Sequence, residues 1–211
     1  MSGDVAAALR EPWDSLRRQR EAAEFGVWIF LGSEALLFAG LLLAFAVNRT
    51  LHPAGFAASG RETDIVFGTV NTLVLLTSSL AMAVGSEAAR AGLRRLALRA
   101  LATVLLLGLT FLVLKGFEWA KDLREQLWPG AGFRLAEPGA RLFFGLYWTM
   151  TALHALHLAG GLAVVGWLSW QGWRGTRPLG SPAFQVAALY WHLVDVVWIL
   201  LYPLLYLGGR A

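Results

Sequence analysis

Cysteine is absent from this 211-residue chain, which excludes a disulfide framework, a zinc-thiolate site, an iron-sulfur cluster and covalent c-type haem attachment. Charge is scarce as well. Only 15% of residues are charged, against 57% hydrophobic and ten tryptophans, and the mean hydropathy is +0.56, a balance that belongs to membrane proteins. Residues 1–24 are polar and carry neither the apolar core nor the small-residue cleavage site of a signal peptide, so no cleaved presequence is expected. No phosphate-binding glycine loop and no Ser/His/Asp series lies in an accessible loop, which leaves soluble hydrolase or ATPase chemistry without support. Internal repeats, heptad arrays and low-complexity segments are missing. The net charge of +4 does not point to nucleic acid, because the arginines flank apolar runs instead of forming a basic face.

What is present is five apolar runs: Val27 to Val47, Ile65 to Gly85, Leu96 to Phe117, Leu142 to Ser169 and Val186 to Leu207. Each nears or exceeds the roughly 20 residues that span a bilayer. The expectation is an all-α integral membrane bundle of five transmembrane helices: a polar cytoplasmic segment over residues 1–24, then a single membrane domain over 25–211. Ordinary loops are expected at Asn48 to Asp64, Glu87 to Arg95, Glu118 to Arg141 and Trp170 to Pro182. Counting basic residues near the span ends places Arg10, Arg17, Arg18, Arg20, Arg90, Arg94, Arg95, Arg99, Arg174 and Arg177 on one side, read as cytoplasmic. The N-terminus is then inside and the C-terminus outside. Small residues such as Gly68, Ser78, Ser79, Gly160 and Gly161 would let helices approach closely.

Polar residues at membrane depth are the candidate functional groups, since each costs several kcal/mol unless it finds a partner. Glu34 lies in the first span, Asn71 in the second, His154 and His157 in the fourth, and His192 and Asp195 in the fifth. Glu34 has two readings: a protonated carboxyl bonded to a neighbouring helix, or a proton-exchanging group beside a pathway. The pairs His154/His157 and His192/Asp195 each share a helix face. Histidine and carboxylate suit iron, zinc or copper, but the Glu-x-x-His pattern of bundle-core di-iron sites is not matched, and a polar network between helices is the expectation, with no metal in this chain. Lys115, with Glu118 just past the end of the third run, reads as an interfacial ion pair with Lys115 reaching outward.

Five stretches in order carry a family resemblance: WIFLGSEALLFAGL at Trp28 to Leu41, VNTLVLLTSS at Val70 to Ser79, LKGFEW at Leu114 to Trp119, YWTMTALHALHLAGG at Tyr147 to Gly161, and YWHLVDVVWILLYPLLYL at Tyr190 to Leu207. Together they resemble subunit III of haem-copper respiratory oxidases, in its shorter five-helix bacterial form. The resemblance implies an accessory subunit of a terminal oxidase in the bacterial plasma membrane, without catalytic metals of its own. It implies packing on subunit I, where haem and copper reside, association with other subunits including subunit II, bound phospholipid, and support of proton uptake. Glu34 matches the family's intramembrane carboxylate, and Lys115, Glu118, His154, His157, His192, Asp195 and Trp198 match its motif positions. The electron donor, cytochrome c or quinol, is not written in this chain, although the last span reads closer to the cytochrome c type. A related small subunit associated with nitric oxide reductases is the nearest rival. A membrane metal or haem enzyme, or a transporter, is the rival from another class; a transporter predicts inverted repeats or broken helices, and neither is evident.

Overall fold

A computed structural model describes residues 16–176 and 181–210. Arg10 and Arg177, both counted above for orientation, lie outside the described residues. Regular structure among the described residues is entirely helical: α1 Leu16–Leu51, α2 Pro53–Glu62, α3 Ile65–Arg90, α4 Arg94–Arg124, α5 Ala140–Arg174, α6 Pro182–Tyr202, and a π-helical turn over Pro203–Leu207. Among the described residues, five stretches are long and apolar enough to cross a membrane: Phe25–Leu51, Ile65–Arg90, Arg94–Arg124, Ala140–Arg174 and Ala183–Leu207. The chain forms two compact units, Met1–Leu37 and Phe38–Ala211. The first holds the N-terminal part of α1, including Glu34. The second holds the rest.

Several boundaries in the second unit have a local cause. His52 leaves helical geometry with Pro53 behind it, which ends α1, because a residue before proline is pushed out of the α region. Pro53 then occupies the first turn of α2, where its missing N–H costs nothing. The segment expected as a plain loop from Asn48 to Asp64 is therefore mostly a ten-residue helix, and its Phe56 is buried. Phe45, Phe56 and Phe143 meet edge to face, with centroids 5.1, 5.6 and 5.4 Å apart, tying α1, α2 and α5 together. Gly139 precedes α5 with φ of 88°, a left-handed conformation that favours glycine, and a Cβ there would collide with His52.

Helix α4 runs further than its apolar run. Nothing between Phe117 and Arg124 breaks a helix, so Glu118 and Asp122 are helical residues and not loop residues. At 1.5 Å per residue α4 is roughly 46 Å long, well over the ~30 Å hydrocarbon core. The last helix changes register at Pro203. Proline cannot donate to the carbonyl four residues back and its ring crowds that carbonyl; the chain widens into a π turn, a form that recurs at functional sites. Leu205 and Tyr206 on this turn are buried. Outward faces remain apolar: Val66, Leu73 and Leu80 on α3, and Leu106, Leu109, Val113 and Phe117 on α4, are exposed, as surfaces facing lipid or apolar partners should be.

Asp64 caps α3. Its carboxylate accepts from the amides of Val66 and Phe67, at 3.0 and 3.3 Å, and from the Lys121 ammonium at 2.6 Å. Partial burial opposes ionisation of this group, but the lysine and the two amides outweigh it and hold the carboxyl below its ordinary value. Because the folded-state value is the lower one, this cap contributes fully at neutral pH and its contribution is lost as pH falls through the acid range. Asp64→Ala should therefore cost about 1 kcal/mol. Thermal unfolding of detergent-solubilised protein should show that deficit at pH 7 and show it shrinking on acidification; a deficit independent of pH would refute the assignment.

Candidate functional site

Three elements of the second unit converge on the side chain of Lys115. Lys115, Glu118 and Asp122 are spaced along one face of α4, Tyr147 comes from α5, and Tyr206 comes from the π turn. Lys115 and Glu118 form an ion pair at 3.1 Å with side-chain exposures of 1% and 0%, so the pair is fully interior. The lysine does not reach outward as its position near the end of the apolar run suggested. The extension of α4 keeps it beneath further helical turns, where Glu118 and two phenols receive it.

The Lys115 ammonium donates to Tyr206 Oη at 2.6 Å and to Tyr147 Oη at 3.1 Å. Both phenols pass the interaction on. Tyr206 Oη donates to Glu118 Oε1 at 2.6 Å, while Tyr147 Oη lies 2.8 Å from Glu118 Oε1 and 2.8 Å from Asp122 Oδ2. Around the ammonium stand the rings of Tyr147, Tyr206, Trp198 and Trp119, at 4.7, 5.4, 5.7 and 6.0 Å. Such faces attract a cation most strongly where water is excluded. Gly68 positions this wall, since a Cβ on it would come within 2.7 Å of the Tyr206 ring. Phe143, Phe144 and Tyr147 form a continuous edge-to-face series, so the phenyl cluster of α1, α2 and α5 fixes the Tyr147 hydroxyl.

A second polar contact joins α3 to α6. Ser79 Oγ lies 2.9 Å from His192 Nδ1. The same serine stands beside the Asp195 carboxyl, although neither carboxyl oxygen meets hydrogen-bond geometry. His192 also lines a cavity of about 270 Å³ with Ser86, Glu87, Arg90 and Gln185. His192 and Asp195 are thus related through Ser79 and not through each other. His157 bonds back to the Leu153 carbonyl of its own helix at 2.8 Å, and Tyr190 of α6 donates to the His157 carbonyl at 3.0 Å. His154 is fully buried between Phe111 and Trp198, with ring centroids at 5.5 and 5.0 Å, and neither of its nitrogens has a hydrogen-bond partner among the described residues. Asn71 is buried in the same unpartnered state. The histidines of α5 and the His192/Asp195 pair are therefore not gathered into one cluster, and no group of three or more His, Cys, Asp or Glu suited to a metal occurs among the described residues.

The sequence reading missed Asp122, Tyr147 and Tyr206, and it counted Ser79 only as a small residue. Asp122 was recoverable: it follows Glu118 by four and shares its helical face. Tyr206 was not, because its inward direction depends on the π turn.

The profile of the cytochrome c oxidase subunit III family matches residues 17–210. This chain belongs to the cytochrome c oxidase subunit III family. It is 31% identical to cytochrome c oxidase subunit 3 of Thermostichus vulcanus over 88% of this chain and 87% of that protein. Identity to cytochrome c oxidase subunit 3 of Bacillus subtilis is also 31%, over 88% and 86% of the two chains. Cytochrome bo(3) ubiquinol oxidase subunit 3 of Pseudomonas aeruginosa is 28% identical, over 88% and 84%. Subunit III is the accessory, non-catalytic subunit of a haem-copper oxidase and associates with the other oxidase subunits. With five helices able to cross a membrane and bacterial relatives, this subunit III is a multi-pass bacterial membrane protein.

Proposed function

We propose that this subunit III sits in the bacterial plasma membrane against subunit I, the subunit that carries haem and copper, with further contacts to subunit II. The match of the family profile over nearly the whole chain carries this reading. The N-terminus is cytoplasmic and the C-terminus outside. The basic residues counted near the span ends, Arg90, Arg94, Arg95 and Arg99 among them, support that orientation. Purification in mild detergent tests the assembly. A haem-copper subunit I should co-purify with this chain, and recovery of the chain without one overturns the proposal.

Phospholipid binds between this subunit and its neighbours. A partner subunit supplies the other wall of that site. A purified complex that retained no phospholipid would sink this part of the reading.

Glu34 is the group that supports proton uptake, as the one acid in the first span. Glu34→Gln should leave the complex assembled and lower either the proton-uptake rate or the number of turnovers before inactivation; an unchanged rate and lifetime would make Glu34 purely structural. Asn71, His154, His157, His192 and Asp195 serve to fix α3, α5 and α6 against one another, a role that the Ser79–His192 contact supports for His192.

A further inference from the structure

The cluster around Lys115 contains more acceptors than its protons can serve. If Glu118 and Asp122 are both ionised, the buried group carries two negative charges against one positive, and Tyr147, which has a single O–H, faces two carboxylate oxygens at 2.8 Å. One of those two contacts then sets lone pair against lone pair among buried side chains. Asp122 is 2% exposed, so solvent does not relieve the excess charge. The other charged groups acting on Asp122 are Lys115 and Glu118 on its own face, Lys121 one residue before it and Glu125 at the end of α4.

One added proton resolves both problems. Placed on Asp122 Oδ2, it is donated to Tyr147 Oη; the Tyr147 hydroxyl donates to Glu118 Oε1; Tyr206 donates to the same oxygen; and Lys115 donates to both phenols while lying 3.1 Å from Glu118 Oε2. Each phenol oxygen then uses only the lone pairs and the hydrogen it has, and the five side chains sum to zero charge. We infer that Asp122, Tyr147 and Glu118 form a proton-binding site that holds one proton, resting on Asp122 and aligned through Tyr147 toward Glu118. The proton has a second resting place. If Asp122 gives its proton to Tyr147 Oη as Tyr147 gives its own to Glu118 Oε1, two O–H bonds break, two form, and the charge moves from Glu118 to Asp122. Lys115, in contact with Glu118 Oε2, holds the charge on Glu118 and so keeps the proton at the Asp122 end. The site needs only side chains of this chain and does not depend on which subunits surround it.

Infrared spectroscopy of the full chain, in whatever complex it purifies with, tests the site directly at neutral pH. The spectrum of native protein minus that of Asp122→Asn should show one protonated-carboxyl C=O stretch per chain, shifting when H2O is exchanged for D2O. A difference spectrum containing carboxylate stretches instead would overturn the inference. If Asp122→Asn does not assemble, Tyr147→Phe provides the second measurement. It removes the acceptor of the Asp122 proton and should move that C=O band to higher frequency, whereas an unmoved carboxyl region would equally overturn the site.

Discussion

Lys115→Met is expected to cost this subunit about 3–5 kcal/mol at neutral pH, the usual penalty for leaving one partner of a buried ion pair uncompensated. The substitution keeps most of the apolar stem and deletes the ammonium, so packing along α4 changes little and the effect reports charge. Without Lys115, Glu118 is a fully buried carboxylate served by two phenols and nothing cationic. The loss should show as release of the subunit from purified complex at a lower temperature or detergent concentration. Adding Glu118→Gln to Lys115→Met removes the stranded charge and should restore most of the stability at pH 7. A penalty that the second substitution does not relieve would mean that Lys115 acts through its shape. By the same logic Asp122→Asn should be far milder than Glu118→Gln, since asparagine resembles a protonated aspartate and glutamine does not resemble an ionised glutamate.

How much of this was legible in the sequence depends on which property a residue expresses. The five membrane-crossing stretches were legible because length and apolarity are one-dimensional quantities, and Ile65 and Leu207 bound helical stretches as they bound apolar runs. The polar residues themselves were visible for the same reason: His192 and Asp195 stand out in an apolar run wherever they point. Their partners were not visible. Spacing alone put His154 and His157 forward to meet His192, yet the ring of His154 faces Phe111 and Trp198, and His192 bonds a serine of α3. Hydropathy also ends a run at Phe117, although Glu118 and Asp122 continue the helix with their side chains buried. A buried charge network thus looks, on a hydropathy trace, like the edge of a membrane span.

Trp198 joins the two parts of that interior, and Trp198→Ala is the second substitution expected to have a large effect. The indole is 1% exposed and stands edge-on to Phe111, with centroids 4.8 Å apart and planes at 88°; it lies 5.0 Å from the His154 ring, and its Nε1 donates to Thr72 Oγ1 at 3.0 Å. Truncating a buried Trp in water-soluble proteins costs about 3–5 kcal/mol. In lipid the transfer part of that cost is weak, because the tails are as apolar as the ring, and what remains is lost contact and an unfilled cavity. The expected cost is therefore at the lower end, about 3 kcal/mol. Trp198→Phe separates the causes: it keeps an aromatic ring in the site and loses the bond to Thr72, whose removal should cost about 1 kcal/mol. Truncation also removes a wall of the ammonium's aromatic surround and a neighbour of Tyr206, 6.2 Å away. Tyr206 is thereby freed to leave Glu118, so Trp198→Ala, unlike Trp198→Phe, should disturb the protonated-carboxyl stretch assigned to Asp122. If the two variants release the subunit equally easily, the indole contributes through its hydrogen bond and not through the space it fills between α3, α4 and α5.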